Sequence, residues 1–207
     1  MKGAMTVRQA SITRNTKETK ITATLVLDGR GEADISTGCG FLDHMLELFA
    51  RHGRFDLTVK CDGDIQVDAH HTVEDCAIVL GRCFAQALGD MRGINRYGSM
   101  ILPMDETLML CAVDLSGRAH LGWQVTLPAE QIGNFDTELG KEFWAGFVRN
   151  CPGAMHFNQL AGDNTHHILE ACFKGMARAL RQAVAFEPGF EDQIPSTKGT
   201  LIEGGYI

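Results

Sequence analysis

The pattern of apolar and polar positions occurs twice along the chain and predicts similar strands in each half. Residues 18–30 read ETKITATLVLDGR, and residues 106–118 read ETLMLCAVDLSGR. Both segments are rich in β-branched and other apolar residues, and both end in a turn signal, Asp-Gly in the first and Ser-Gly in the second. Such a pattern is typical of a strand, a turn and a second strand. We therefore expect a β-hairpin in each half.

Helices are predicted by apolar residues that recur at helical spacing. The string HHTVED at residues 70–75 is followed by such a stripe, and so is HHILE at residues 166–170. Residues 41–50 and 143–148 suggest an earlier helix in each half. The Gly- and Arg-containing segment 89–96 links the halves, and the tail, residues 187–207, contains proline and glycine and is predicted to be loop.

This order of elements predicts an α+β fold made by internal duplication. We expect two similar βαβ-containing halves, residues 1–92 and 93–186, with helices packed against mixed four-stranded sheets. The tail, residues 187–207, follows them. A chain of 207 residues fits one compact domain.

Composition narrows the function classes. Nineteen basic and 26 acidic residues give a net charge of −7, which argues against binding to nucleic acid or to an anionic membrane. The seven cysteines are odd in number and none form a C-x-x-C pair, which argues against a disulfide scaffold or zinc knuckle. The start of the chain has no apolar signal-like run, and no run is long enough to span a bilayer. These features predict a cytoplasmic protein.

The two H-H-x-x-E strings indicate metal binding. On a helix Glu74 lies beside His70 and His71, while adjacent histidines point about 100° apart and can serve two different metals. Imidazole with carboxylate suits manganese, iron or zinc. The alternative is a helix start with an acid near the positive end of the dipole and two incidental histidines. The second copy at residues 166–170 favours the metal site.

Two further residues extend this prediction. His44 and Glu142 precede the two clusters at similar distances, and each begins an aromatic-containing helix. Taken alone, Glu142 could equally be a solvated surface carboxylate. We expect Asp43 and Asp75 to orient ligating histidines. Eight ligands can hold two metals and leave positions for substrate, and the predicted set is His44, His70, His71, Glu74, Glu142, His166, His167 and Glu170.

A second group of residues is basic and dispersed, and each member alone could be an ordinary surface charge. An ammonium, a guanidinium and a hydroxyl are suited to phosphate oxygens. The group therefore predicts a small phosphorylated substrate, and its members are Arg96, Arg118, Lys174, Ser196 and Lys198. The absence of a Walker P-loop or G-x-G-x-x-G string argues against a nucleotide.

Several long strings occur in a specific order. They are FLDHM at 41–45, FARHG at 49–53, HHTVED at 70–75, DNTHH at 163–167 and PSTKG at 195–199. From about residue 14 to residue 198 the chain resembles the imidazoleglycerol-phosphate dehydratases. The resemblance implies dehydration of imidazole glycerol phosphate to imidazole acetol phosphate, a step of histidine biosynthesis.

The resemblance also implies a fold of two similar α/β halves, two Mn²⁺ ions per site, and a homo-oligomer of 24 subunits with its sites at subunit contacts. It assigns the eight residues above to the metals and the five basic-group residues to the phosphate. Many family members carry His where this chain has Glu142. A carboxylate can replace imidazole at manganese, so Glu142 stays in the predicted ligand set.

The chemistry requires a base, because the hydrogen that leaves is on a carbinol carbon that no carbonyl activates. We assign Glu18 to this role, with His52 assisting, and we place His71 and Glu170 in the same catalytic set. Glu18 could instead be a strand-edge surface acid, and its repeat counterpart Glu106 leaves open which copy acts. The predicted substrate contacts are Glu18, His44, His52, His70, His71, Glu74, Arg96, Arg118, His166, His167, Lys174, Ser196 and Lys198.

Two other functions fit the same metal ligands. A two-metal phosphate-ester hydrolase uses a metal-bound hydroxide and would release inorganic phosphate. A metal-storage or structural shell protein places histidines and carboxylates on helices, would take up many metals per chain and would catalyse nothing.

Overall fold

The protein is described by a computed structural model over residues 7–151 and 153–201. The first half contains β1 (Gln9–Asn15), β2 (Thr19–Val26), β3 (Ala33–Ser36), α1 (Gly40–Gly53), β4 (Asp56–Gly63) and α2 (His70–Leu88). The second contains β5 (Tyr97–Met104), β6 (Thr107–Asp114), β7 (His120–Gln124), the short pair β8 (Gln131–Ile132) and β9 (Phe135–Asp136), α3 (Glu138–Asn150), β10 (Ala154–Ala161) and α4 (Thr165–Val184).

The two large sheets have the same topology. Their strand orders are β1-β2-β4-β3 and β5-β6-β10-β7. In each sheet the first three strands are antiparallel and the last is parallel to its neighbour. The predicted α+β fold of two similar halves with mixed four-stranded sheets is confirmed. The boundaries at residues 92 and 186 stay predictions.

The tail contains no helix or strand over residues 187–201, and the rest of the predicted loop, 202–207, lies outside the described residues. In the part of the chain that the structure describes, no helix is both long and apolar enough to cross a membrane.

The hairpins predicted at the Asp-Gly and Ser-Gly turns are wrong. β2 pairs with β1 and β4, whereas β3 pairs with β4 on its other side. The carboxylate of Asp56, at the start of β4, accepts the backbone N–H groups of Arg30, Gly31 and Glu32 at 2.7–3.0 Å. These bonds hold the segment between β2 and β3 across the end of β4. The connection from β2 to β3 is therefore a crossover and not a hairpin. β6 and β7 are related in the same way around β10, and the true hairpins are β1–β2 and β5–β6.

The helices form the middle of the molecule because each half packs its helices against those of the other. α2 covers β1 and β2, α4 covers β5 and β6, α2 packs on α3, and α1 packs on α4. Phe49, Phe84, Trp144 and Phe147 are fully buried where the halves meet. A Cβ on Gly81 would lie 2.5 Å from the Phe147 carbonyl oxygen, so α2 and α3 approach closely at this glycine. The duplication therefore produces one continuous core.

An ion pair ties the first sheet to the end of α4. The Arg8 Nε and Nη2 atoms donate to the Asp28 carboxylate at 2.9 and 2.6 Å, and Nη1 donates to the Val184 carbonyl at 2.6 Å. The hydrogen bond from Arg8 lowers the pKa of Asp28 below its ordinary value of 3.8. Because the folded-state pKa is depressed, the stabilisation exists above pH 3.8 and is lost as the pH falls through the folded-state pKa.

We expect Asp28→Asn to lower the free energy of unfolding by about 0.5–1 kcal/mol at neutral pH, a small effect because the Asp28 side chain is 42% exposed. The difference from the parent should disappear at a pH where Asp28 is protonated in both states. Denaturant titrations at neutral and acidic pH measure this, with Asp62→Asn as a control at an 84% exposed carboxylate. An equal difference at both pH values would contradict a role for the Asp28 charge.

Candidate active site

Two histidines and a carboxylate meet where α1 packs on α4. The donor atoms of His44, His166 and Glu170 all lie within 4.8 Å of one another. The His166 Nε2 to Glu170 Oε2 distance is 3.1 Å, and the His44 Nε2 to Glu170 Oε2 distance is 3.8 Å. Among the described residues, no other group of three or more His, Cys, Asp or Glu side chains is this compact. Imidazole and carboxylate donors suit a divalent transition metal.

The start of α4 explains why its two ligands share a face. The Asn164 side chain accepts the backbone N–H groups of His166 and His167 and caps the helix. His166 and Glu170 are then one turn apart on the same side. The Phe41 ring lies edge-on to the His166 imidazole with ring centres 5.3 Å apart, which restricts that ring from the α1 side.

Glu170 is a buried carboxylate with a cationic neighbour. Burial raises its pKa, but the ion pair with Lys174 and the hydrogen bond to His166 outweigh burial and hold the pKa below its ordinary value. Glu170 is therefore ionised at neutral pH and able to ligate a cation. Lys174, predicted to bind phosphate, makes its ion pair here.

His52 lies near the end of α1 and is influenced by α4. Burial lowers its pKa, and the positive charges of Lys174 and Arg178 lower it further, while Glu170 acts in the opposite direction. The imidazole is therefore neutral at neutral pH and can accept a proton.

The first H-H-x-x-E string opens α2, as predicted. His71 Nδ1 lies 2.9 Å from Asp64 Oδ2, and this hydrogen bond raises the pKa of His71. On the other side of the ring, His71 Nε2 lies 3.9 Å from Glu18 Oε1. Glu74 is paired with Arg149 of α3 at 2.9 Å. Glu18 and His71, both placed in the predicted catalytic set, are therefore neighbours.

The second string repeats this orientation of a histidine. His167 Nδ1 lies 2.8 Å from Glu106 Oε2, while Glu106 Oε1 accepts the Thr107 hydroxyl at 2.8 Å and the Asn164 N–H at 3.2 Å. The His167 hydrogen bond lowers the pKa of Glu106 to about 2 and raises that of His167. An acid on Nδ1 leaves Nε2 of the same ring for a metal.

The carboxylates that orient histidines differ from those predicted. Asp64 and Glu106 have this role, whereas Asp43 accepts the Thr37 N–H and hydroxyl. Asp75 is buried against the first sheet, where Arg14 and the Thr19 hydroxyl donate to it. The repeated Glu-Thr pair was a usable signal for Glu106, but an acid just beyond β4 gives no such signal for Asp64.

The described chain brings three of the eight predicted ligands into one compact group. The His70 ring lies beside His71, with centres 6.4 Å apart. Glu142 is half-buried on α3 and, within the described residues, makes no hydrogen bond or ion pair. The predicted ligands outside the compact group are His70, His71, Glu74, Glu142 and His167. Their role as ligands stays a prediction.

A separate cavity of about 950 Å³ opens at the end of the second sheet. Four of the five residues predicted to bind phosphate line it: Arg96, Arg118, Ser196 and Lys198. The fifth, Lys174, is not among its lining residues. Three cationic side chains and a hydroxyl make this a suitable site for an anion.

Comparison with known proteins agrees with this chemistry. The family model of imidazoleglycerol-phosphate dehydratase matches residues 37–180. The chain is 54% identical over 195 residues to an imidazoleglycerol-phosphate dehydratase of Methylobacterium radiotolerans, covering 94% of this chain and 100% of the relative.

Two solved structures of imidazoleglycerol-phosphate dehydratase have the same fold. The Staphylococcus aureus protein superposes with a TM-score of 0.79 at 37% identity, covering 86% of this chain and 99% of the other. The Pyrococcus furiosus protein gives 0.79 at 35% identity, covering 91% and 99%. This chain belongs to the imidazoleglycerol-phosphate dehydratase family and is a dehydratase, a lyase of histidine biosynthesis.

Proposed function

We propose that this dehydratase uses two Mn²⁺ ions at a site that a second copy of the chain completes. The compact group of His44, His166 and Glu170 supports the proposal, because its donor set fits a divalent cation. A bound Mn²⁺ would supply Lewis acidity toward the ring nitrogens of the substrate.

The position of the remaining predicted ligands supports a second copy in this proposal. His71 and Glu74 are on α2, which packs on α3, whereas the compact group lies at the contact of α1 with α4. His44 is 47% exposed, so it is available to a neighbouring molecule. Joining the α2 ligands of one copy to the compact group of another would bring both H-H-x-x-E strings into one site. A closed homo-oligomer of 24 subunits would repeat this contact.

In this proposal Glu18 takes the proton from the carbinol carbon, and the electron pair of that C–H bond forms the C=C bond of an enol. The hydroxyl of the neighbouring carbon leaves with a proton as water, and the enol becomes the ketone product. The Glu18 side chain is 53% exposed and lies beside His71, so it can reach a substrate held near that histidine. His52 is neutral and can accept or position a second proton. Glu170 keeps its negative charge through Lys174 and remains a ligand.

The cavity beside the tail would hold the phosphate of the substrate. Arg118 and Lys198 supply positive charge, Ser196 supplies a hydroxyl, and Arg96 lies at the cavity wall. Binding the phosphate at a distance from the reacting carbons fixes the substrate without taking part in the proton transfer. The partner in this proposal is a small phosphorylated imidazole.

We place the enzyme in the cytoplasm. All seven cysteines, each within the described residues, are free thiols, and six of them are buried. Free thiols persist in reducing compartments. The hydrolase and metal-shell alternatives have no support, since the family and the related structures are dehydratases.

Metal removal tests the proposal. We expect chelator-stripped enzyme to lose turnover of imidazole glycerol phosphate and to regain it with about two Mn²⁺ per chain. The assay follows the ketone product and inorganic phosphate together, and sedimentation reports the assembly state in parallel. Full turnover of stripped enzyme would contradict the metal role, and a fully active monomer would contradict the shared site.

A further inference from the structure

Each half contains an arginine clamp with the same geometry. Arg8 and Arg96 each stand one residue before the first strand of their half. The Arg8 guanidinium makes a bidentate pair with Asp28, and the Arg96 guanidinium makes one with Asp114 at 2.7 and 3.2 Å. In both clamps the remaining Nη1 donates to a main-chain carbonyl.

The two clamps hold different segments. Arg8 donates to the Val184 carbonyl, at the end of α4. Arg96 donates to the Pro195 carbonyl at 2.9 Å, directly before Ser196 and close to Lys198. The second clamp therefore holds the tail segment, residues 192–198, of which residues 193–198 line one wall of the phosphate cavity.

Two further bonds hold the residues just before Pro195 to the link between the halves. Arg92 Nη1 donates to the Asp192 carbonyl at 2.6 Å, and the Gly93 N–H donates to the Gln193 carbonyl at 2.7 Å. The Arg96 guanidinium contacts this wall directly, at the Pro195 carbonyl, one residue before Ser196.

Arg96 itself is fixed from both sides. Its backbone is left-handed at φ 70°, its N–H donates to the Ala183 carbonyl, and its carbonyl accepts the Leu115 N–H. These bonds fix the main chain of Arg96 but not the direction of its guanidinium. Asp114 fixes the plane and the rotation of the guanidinium through its bidentate pair, and the Tyr97 ring, whose centre lies 4.7 Å from the guanidinium carbon, packs on its face.

We propose that Asp114 is a positioning residue for phosphate binding, acting through Arg96 on the wall formed by Pro195, Ser196 and Lys198. The proposal rests on the proposed function of the cavity. It predicts that loss of the Asp114 charge weakens binding of the substrate phosphate. The rate of proton transfer at the reacting carbons should stay nearly unchanged.

The test compares Asp114→Asn with Asp28→Asn, which breaks the matching clamp of the first half, whose residues Arg8 and Asp28 do not line the cavity. We expect Asp114→Asn to raise KM for imidazole glycerol phosphate roughly tenfold, with kcat changed by no more than about twofold. The inhibition constant of inorganic phosphate should rise by a similar factor. Asp28→Asn should lower the melting temperature comparably without moving KM or the phosphate inhibition constant.

Two further variants keep the outcomes separate. Asp114→Glu retains the carboxylate and should give a smaller rise in KM, and it decides the question if Asp114→Asn does not fold. Arg118→Ala tests the cavity itself. If Arg118→Ala weakens phosphate inhibition while both Asp114 variants match the Asp28→Asn control, Asp114 has no positioning role. If Arg118→Ala changes neither constant, the phosphate assignment fails and the positioning role fails with it.

Discussion

Replacing Glu170 with glutamine is expected to lower kcat/KM by about a thousandfold and to leave the enzyme with less bound metal. Glu170 is the member of the compact group that contacts both others, His166 at 3.1 Å and His44 at 3.8 Å. The glutamine amide has nearly the same shape as the Glu170 carboxylate but lacks the negative charge that would balance a bound divalent cation. Loss of several kcal/mol of Lewis-acid stabilisation corresponds to this factor in rate.

The measurement pairs kinetics with the metal content of dialysed protein. Glu47→Gln is the matched control, since Glu47 is an exposed acid on the same helix as His44. The control should keep both metal and turnover. A Glu170→Gln enzyme with metal content and kcat/KM within about twofold of the parent would contradict the role of Glu170 as a ligand.

The element types could be predicted from sequence because local pattern decides them. The stripe after each H-H-x-x-E string does form α2 and α4, and both earlier helices exist. Strand pairing could not be predicted in the same way, since a turn signal does not say which strand the chain reaches next. The three N–H groups bound by Asp56 decide this for β3, and Asp56 is distant in sequence from that turn.

The candidate site was predictable as a set of residues but not as an arrangement. The repeat identified His166 and Glu170, which share a face through helical spacing alone. Their meeting with His44 depends on α1 packing on α4, a contact between halves that no local pattern encodes. The predicted phosphate residues do not all lie together, because Lys174 pairs with Glu170 one turn away on α4, whereas Arg118, Arg96, Ser196 and Lys198 line the cavity.

The two copies of the repeated acid, Glu18 and Glu106, have different surroundings. Glu106 is held by three hydrogen bonds, from His167, Thr107 and Asn164. Glu18 accepts no hydrogen bond at its carboxylate within the described residues, is 53% exposed and lies 3.9 Å from His71 Nε2. A carboxylate with a pKa of about 2, like that of Glu106, is a weak base, and its 2.8 Å contact with His167 Nδ1 favours a part in orienting that ring.

We therefore expect Glu18→Gln and Glu106→Gln to fail in different ways. Glu18→Gln should lower kcat by about 10²–10⁴-fold, the usual contribution of a general base, and should keep the parent metal content. Glu106→Gln should weaken metal binding by about 10–100-fold, as loss of an orienting carboxylate does, and added Mn²⁺ should restore much of its turnover.

Metal titrations and single-turnover assays at saturating Mn²⁺ separate these outcomes. Full turnover by Glu18→Gln with both metals bound would remove Glu18 from the role of base. A Glu106→Gln enzyme that binds metal normally but fails at saturating Mn²⁺ would move the base to the second copy of the repeat. Glu18 and Glu106 occupy equivalent positions in the two halves. The pair of variants therefore tests whether, after duplication, one of these acids transfers the proton and the other orients a metal-binding histidine.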